Sequence, residues 1–309
     1  MRAGEQDGIT LDSTYFVAFE LMHRALKSGL KSASDLSITQ YRALVKLLGV
    51  SPNMLGQSDL GEMLGAKPNV MTQALNALEA RGLAKRARDD RDGRSRSVGI
   101  TQAGVAHVAS VNDSIVRQLY ARFPTDDPTY RRILEASIIA GAAIDPPLSP
   151  EAARRFPASR TLVSFELIRH MMEKNLESAC GASYHECRIM QRLDEEGGPL
   201  RIGDLAEALQ LSAVNVARCV DRLAERGWVE RMRSPRDRKA VFAVVTESGA
   251  LRQRVIARTV DDMGRTQLWG KLGPEHRKAI AQVGSVVFAD LQTRKEVERK
   301  AALDLLAPL

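Results

Sequence analysis

Apolar positions recur at helical spacing in a block that opens at Ser58. Leu60, Met63 and Leu64 share one face of a short helix over Ser58–Leu64. Gly65 and Ala66 supply a turn, and Val70, Met71, Ala74, Leu75 and Leu78 then mark the inner face of a helix from Lys67 to Arg81, which Gly82 ends. Two helices joined by a tight turn predict a helix-turn-helix. After the stop glycine come a strand (Leu83–Arg88), a charged polar tip (Asp89–Ser95) and a second strand (Arg96–Ile100), and Thr101 is placed to cap a long helix.

The same order returns farther along. Asp204–Leu209 and Ser212–Arg226 predict a second helix-turn-helix, with Ser212 as N-cap, Val216, Val220 and Leu223 inward and Gly227 the stop. Trp228–Arg233 and Ala240–Val245 predict its hairpin, whose Val241, Phe242, Val244 and Val245 favour a strand, and Thr246 its capped helix. At an offset of 145, Asp59–Gly104 aligns without a gap on Asp204–Gly249, and thirteen of the 46 positions are identical. Unrelated segments would share only about three. The identities include Leu60/Leu205, Leu78/Leu223, Arg81/Arg226, Gly82/Gly227, Arg86/Arg231, Arg91/Arg236, Thr101/Thr246 and Gly104/Gly249, so one unit occurs twice.

The 309-residue length fits two domains rather than one, and 44% hydrophobic with 27% charged residues is an ordinary globular composition. No stretch approaches the roughly 20 apolar residues of a bilayer span, and a cytoplasmic location is expected. The odd number of cysteines, Cys180, Cys187 and Cys219, argues for reduced thiols rather than a disulfide framework. The formal charge is +7, and two segments hold it: seven Lys/Arg stand against three Asp over Arg81–Arg96, and seven against three Asp/Glu over Arg222–Lys239. One such run reads as a solvated face as readily as a polyanion site; two in matching places favour a polyanionic partner.

In this order, the helix-turn-helix, Arg-Gly-Leu or Arg-Gly-Trp, an Arg-x-Arg-x-x-Arg-Asp hairpin and Thr-x-x-Gly resemble the MarR family of transcriptional regulators. The resemblance implies a mainly α fold with small β wings: two winged helix-turn-helix domains joined by a helical, dimerisation-like platform. It adds flanking helices at Leu11–Leu30, Thr39–Leu48, Thr101–Arg122 and Pro128–Ala143, and at Ser159–Ala179, Tyr184–Glu195, Thr246–Trp269 and Pro274–Thr293. Family members are usually homodimers of about half this length with interlocked terminal helices. The expected domains are therefore residues 1–145 and 159–309, joined by a stiff connector over 146–158 with Pro146, Pro147, Pro150 and Pro157. The two repeats are expected to form an internal pseudo-dimer, against the alternative of independent domains on a flexible string.

By the same resemblance, each second helix enters the major groove of double-stranded operator DNA and each wing reaches the minor groove and phosphates. The expected contacts are Lys67, Pro68, Asn69, Thr72, Gln73 and Asn76 in the first helix, and Ser212, Asn215, Ala217, Arg218 and Arg222 in the second. Those of the wings are Arg88, Arg91, Arg94 and Arg96, with Arg233, Arg236, Arg238 and Lys239. Because Asn and Gln suit adenine edges and Arg suits guanine, the two helices imply unequal half-sites. Repression is the family default.

Relatives commonly release DNA on binding a small aromatic or phenolic effector. The matching aromatic-plus-cation sets are Tyr15, Phe19, His23, Tyr41 and Arg42, and Phe165, Arg169, His170 and Arg188, residues that taken one by one read more readily as platform core for the aromatics and surface ion pairs for the arginines. Alternatives are thiol-based redox sensing through Cys180 and Cys187, and a winged-helix protein-interaction module. The cysteine and histidine spacing matches no zinc pattern, no cofactor is implied, and phosphate loops, nucleophile elbows and dinucleotide fingerprints are absent, so no enzyme is expected.

Overall fold

The computed structural model describes residues 11–88, 96–147, 151–233 and 240–306, with side chains to Thr293 except those of Arg88, Arg96, Gln267 and Lys271. The first repeat contains α1 (Ser13–Ala33), α2 (Ile38–Val50), β1 (Leu55–Gly56), α3 (Gln57–Leu64), α4 (Pro68–Ala80), β2 (Ala84–Arg88), β3 (Arg96–Ile100), α5 (Gln102–Arg122) and α6 (Pro128–Ile144). The second contains α7 (Pro157–Cys180), α8 (Tyr184–Glu196), β4 (Leu200–Arg201), α9 (Ile202–Ala208), α10 (Ala213–Glu225), β5 (Val229–Arg233), β6 (Val241–Val245), α11 (Glu247–Met263) and α12 (Pro274–Leu306).

Each hairpin is the core of a three-stranded antiparallel sheet, ordered β1-β3-β2 and β4-β6-β5. The two-residue strands β1 and β4 are too short to leave a periodic signal and were not foreseen. They pair Leu55 with Val98 and Leu200 with Ala243, fastening the entry of each helix-turn-helix to its wing. Three other differences from the sequence reading have local causes. Pro157 opens α7 instead of belonging to a helix-free connector, because proline's missing N–H costs nothing at the first helical position. The connector carries a 3₁₀ turn at Ala152–Arg154. The helix expected to reach Trp269 stops at Met263 and gives way to a π turn and a 3₁₀ turn, with the Trp269 indole occupying the space a Cβ on Gly264 would need.

The chain forms two compact units, and each takes residues from both repeats: one comprises Ile168–Gly284 with the described part of Met1–Leu21, the other Met22–Leu167 with the chain from Ser285 on. The first of these units holds the second helix-turn-helix around Leu176, Ile189, Met190, Leu193, Leu205, Leu209, Val216, Val220, Leu223 and Ile256. The start of α1 belongs to it: Ser13 donates from its backbone N–H and its hydroxyl to Glu195, at 2.9 and 2.5 Å, and Phe16 meets Tyr184 edge to face. The other unit holds the first helix-turn-helix around Leu26, Leu44, Leu47, Leu60, Met71, Leu75, Leu78, Ile115 and Leu119. The start of α7 belongs to that unit, where the buried Tyr41 hydroxyl donates to Ser159 at 2.6 Å and Thr161 donates to the Ile138 carbonyl at 2.5 Å.

Candidate nucleic-acid interface

α4 and α10 are amphipathic, and their inner faces fix what their outer faces present. Met71, Ala74, Leu75 and Leu78 bury one side of α4, leaving Asn69, Val70, Thr72, Gln73 and Asn76 exposed. Pro68 occupies the first helical position after Lys67, whose side chain makes no cap. In α10, Val216, Cys219, Val220 and Leu223 are inward, and Val214, Asn215, Arg218 and Arg222 are exposed, with Ala217 half-buried. Here Ser212 caps the helix, its hydroxyl accepting from the Asn215 N–H at 3.3 Å.

The turn before each helix requires a left-handed residue. Gly65 adopts it at φ 61°, and the aligned Gln210 adopts it at φ 52° despite its side chain. On α2 and α8 a matching arginine steadies the turn: Arg42 donates to the Leu64 carbonyl at 3.2 Å and the buried Arg188 to the Leu209 carbonyl at 2.7 Å. These carbonyls close the first helix of each motif and have no intrahelical partner. Arg42 and Arg188, read as pocket residues, are therefore part of the scaffold.

Several identities between the repeats have one explanation, the fastening of wing to helix. Arg86 on β2 donates to Asn76 and to Glu79 at 2.7 Å each, and the aligned Arg231 on β5 pairs with Asp221. Each wing is thus tied to the C-terminal half of its own recognition helix. Thr101 caps α5 by accepting from the Gly104 N–H at 3.0 Å while donating to the Gly82 carbonyl at 2.6 Å, and Thr246 does the same with Gly249 and Gly227, at 3.0 and 2.7 Å. A Cβ on Gly104 would lie 2.2 Å from the Leu83 carbonyl oxygen, and one on Gly249 would lie 1.9 Å from that of Trp228.

The remaining expected contacts divide in several ways. Thr72 is exposed but engaged, donating to the Pro68 carbonyl at 2.9 Å and accepting from Gln57 at 2.8 Å. Arg222 does not stand free on the outer face; it donates to the buried carboxylate of Glu186 at 2.5 Å, which Arg226 joins at 3.3 Å. Burial alone would raise the Glu186 carboxyl, but the capping hydrogen bond from the Ser183 backbone and the two arginines hold it below the ordinary carboxylate range. Arg233 is exposed at the end of β5, and Arg88 pairs with Arg96 in register across the first wing. Arg91, Arg94, Arg236, Arg238 and Lys239 lie outside the described residues.

The residues expected to line an effector pocket are divided between the two units. In one unit His23 is buried against Glu166 at 2.8 Å and in ring contact with Phe165, and Tyr41 is in the core. In the other, Phe19 is buried, Tyr15 meets Trp269 edge to face and His170 is exposed. Of the expected set, Arg169 alone lines an open cleft of about 490 Å³, with Glu173, Tyr184, His185, Glu186, Arg222 and Arg226 among its walls. Arg169 lies over the Tyr184 ring, 4.5 Å from its centroid, and donates to Glu20 at 2.6 Å. Burial and the positive charges of Arg188 and Arg169 push the His185 imidazole below its ordinary range. Sequence reasoning placed Tyr184 and Glu186 at the start of a helix but not in a site; Ser183-x-x-Glu186 is a capping-box pattern that marks Glu186 as turned back on the helix start. Cys180, Cys187 and Cys219 are buried free thiols, and burial pushes Cys187 and Cys219 upward, which disfavours the thiolate that redox sensing needs.

A helix-turn-helix followed by a two-stranded wing, built twice on separate cores, defines a tandem winged helix-turn-helix protein. Residues 34–95 and 183–241 each match a model of the MarR family, one match in each repeat. Similar curated proteins include the uncharacterized HTH-type transcriptional regulator YpoP of Bacillus subtilis (strain 168), 32% identical over 85 residues that make up 28% of this chain and 58% of that one. Another is the transcriptional repressor MprA of Escherichia coli (strain K12), 27% identical over 148 residues, 46% of this chain and 83% of that one. Among solved structures, the MarR family regulator AbsC of Streptomyces coelicolor is 27% identical at a TM-score of 0.37, over 41% of this chain and 86% of that one. Reduced AbfR bound to DNA is 25% identical at a TM-score of 0.29, over 31% of this chain and 69% of that one.

Proposed function

We propose that this protein is a sequence-specific, double-stranded DNA-binding transcriptional repressor in which one chain supplies both halves of the usual dimer. The observation that carries the proposal is the duplicated, braced presentation of a recognition helix. α4 and α10 each expose a polar outer face and are each tied by an arginine, Arg86 or Arg231, to a strand of a basic wing. Such a helix fits the major groove, with the wing beside it on phosphates and the minor groove. The outer faces differ in chemistry, Gln73 and Asn76 on one and Arg218 on the other, which favours unequal half-sites. That each compact unit includes the start of the other repeat's first helix supports an internal pseudo-dimer over two independent modules. A small aromatic anion fits the cleft beside α10, where Arg169, Arg222 and Arg226 supply charge and Tyr184 a ring; by competing with Glu186 it would disturb the recognition helix.

Mobility shift on the DNA flanking the protein's own coding region, at several salt concentrations and with mass determined in parallel, tests this. One chain per site, binding that weakens steeply with salt, and release by a phenolic acid are expected. Absence of a specific shift at every salt concentration would favour the protein-interaction alternative, and an inert panel of phenolic acids would remove the effector assignment alone.

A further inference from the structure

The first turns of the two recognition helices carry the same two side chains in opposite order. Asn69 and Val70 are the second and third residues of α4; the second and third residues of α10 are Val214 and Asn215. All four are exposed, and the valines stand 39% and 60% accessible on otherwise polar faces. Folding does not explain them there, because a branched Cβ loses rotamer freedom in a helix and these isopropyl groups join neither core.

In the major groove an apolar side chain has one specific complement, the C5 methyl of thymine, while an asparagine amide matches the N6/N7 edge of adenine. The Asn69 Oδ1 accepts from the Val70 N–H at 2.9 Å, which orients that amide while leaving its NH₂ group to donate. We propose that each recognition helix opens on an A·T-reading pair, asparagine on adenine and valine on the thymine methyl, and that the reversal exchanges the order of the two contacts between half-sites. The proposal rests on the DNA-binding function above and names two specificity residues, Val70 and Val214, beyond the polar ones.

The test starts from an operator selected by the full chain out of random duplex DNA, with each thymine then replaced singly by deoxyuridine, which lacks only the methyl. Affinity should fall about fourfold where a valine reads the base, the value of one buried methyl-sized group. Val70→Ala should abolish that loss in one half-site and Val214→Ala in the other; both variants remove no core contact and raise helix propensity, so their circular dichroism should be unchanged. The double exchange Asn69→Val with Val70→Asn should make the selected operator symmetric at these two steps. Deoxyuridine tolerated within about twofold at every position, or a loss that persists in both alanine variants, overturns the proposal while leaving DNA binding intact. Failure of the folded chain to enrich any sequence overturns the DNA-binding function itself.

Discussion

Gly104 and Gly249 show how tightly single positions are constrained. Each sits in the first turn of a helix that begins against the backbone just before the first strand of its wing, and each lies where a methyl group would enter the carbonyl of Leu83 or Trp228. Because the obstacle is backbone rather than a flexible side chain, relief requires moving the helix. Gly104→Ala and Gly249→Ala should each destabilise their unit by about 3 kcal/mol, the upper range for overpacking, measured as a shift in urea midpoint with unchanged slope. An unaltered midpoint would show that the helix ends are not seated as described. Thr101 and Gly104 were legible as a capping signal, but the carbonyl behind each glycine was not, since it comes from a residue about twenty positions earlier.

The elements show why two copies of one motif have diverged. In both repeats an N-cap serine and a residue three positions on close a capping box at the start of the second helix, Ser37 with Gln40 and Ser183 with Glu186. Gln40 is neutral, and the nearby Arg81 pairs with Asp35 instead; Glu186 is charged and holds Arg222 and Arg226 of the recognition-helix region. Glu186→Gln should keep the cap, as Gln40 does, and remove both ion pairs, costing about 1.5–3 kcal/mol, the range for hydrogen bonds to charged groups. Amide exchange should quicken at the end of α10 and stay unchanged in α4; equal loss in both would contradict the assignment. From sequence, Arg222 reads as an outward-facing base reader because helical spacing places it on the outer face. Spacing cannot show that a buried carboxylate on another helix reaches that arginine, so its role was decided by packing.

For the whole molecule, the informative fact is that neither compact unit coincides with a repeat. The unit containing α10 includes Ser13 and Phe16, which meet Glu195 and Tyr184. Deleting residues 1–21 should therefore lower amide protection in α8 and α11, far along the chain, while α2 to α4 remain protected. The reverse pattern would mean that the repeats fold as sequence-contiguous domains. The amino-acid sequence by itself determined the local elements and their duplication, because helical periodicity, glycine stops, threonine caps and a charged hairpin are all short-range signals. It also located the polar part of the exposed faces of α4 and α10, since burying one side of a 3.6-residue repeat leaves the other outside, but it placed Val70 on the inner face, where apolar character alone puts it, and the structure leaves that side chain 39% accessible. Tertiary structure alone decided that Arg42 and Arg188 support the turns, that Arg222 binds Glu186 and that α1 and α7 divide between units. Each of those depends on groups distant in sequence meeting at hydrogen-bond distance, which no local pattern encodes.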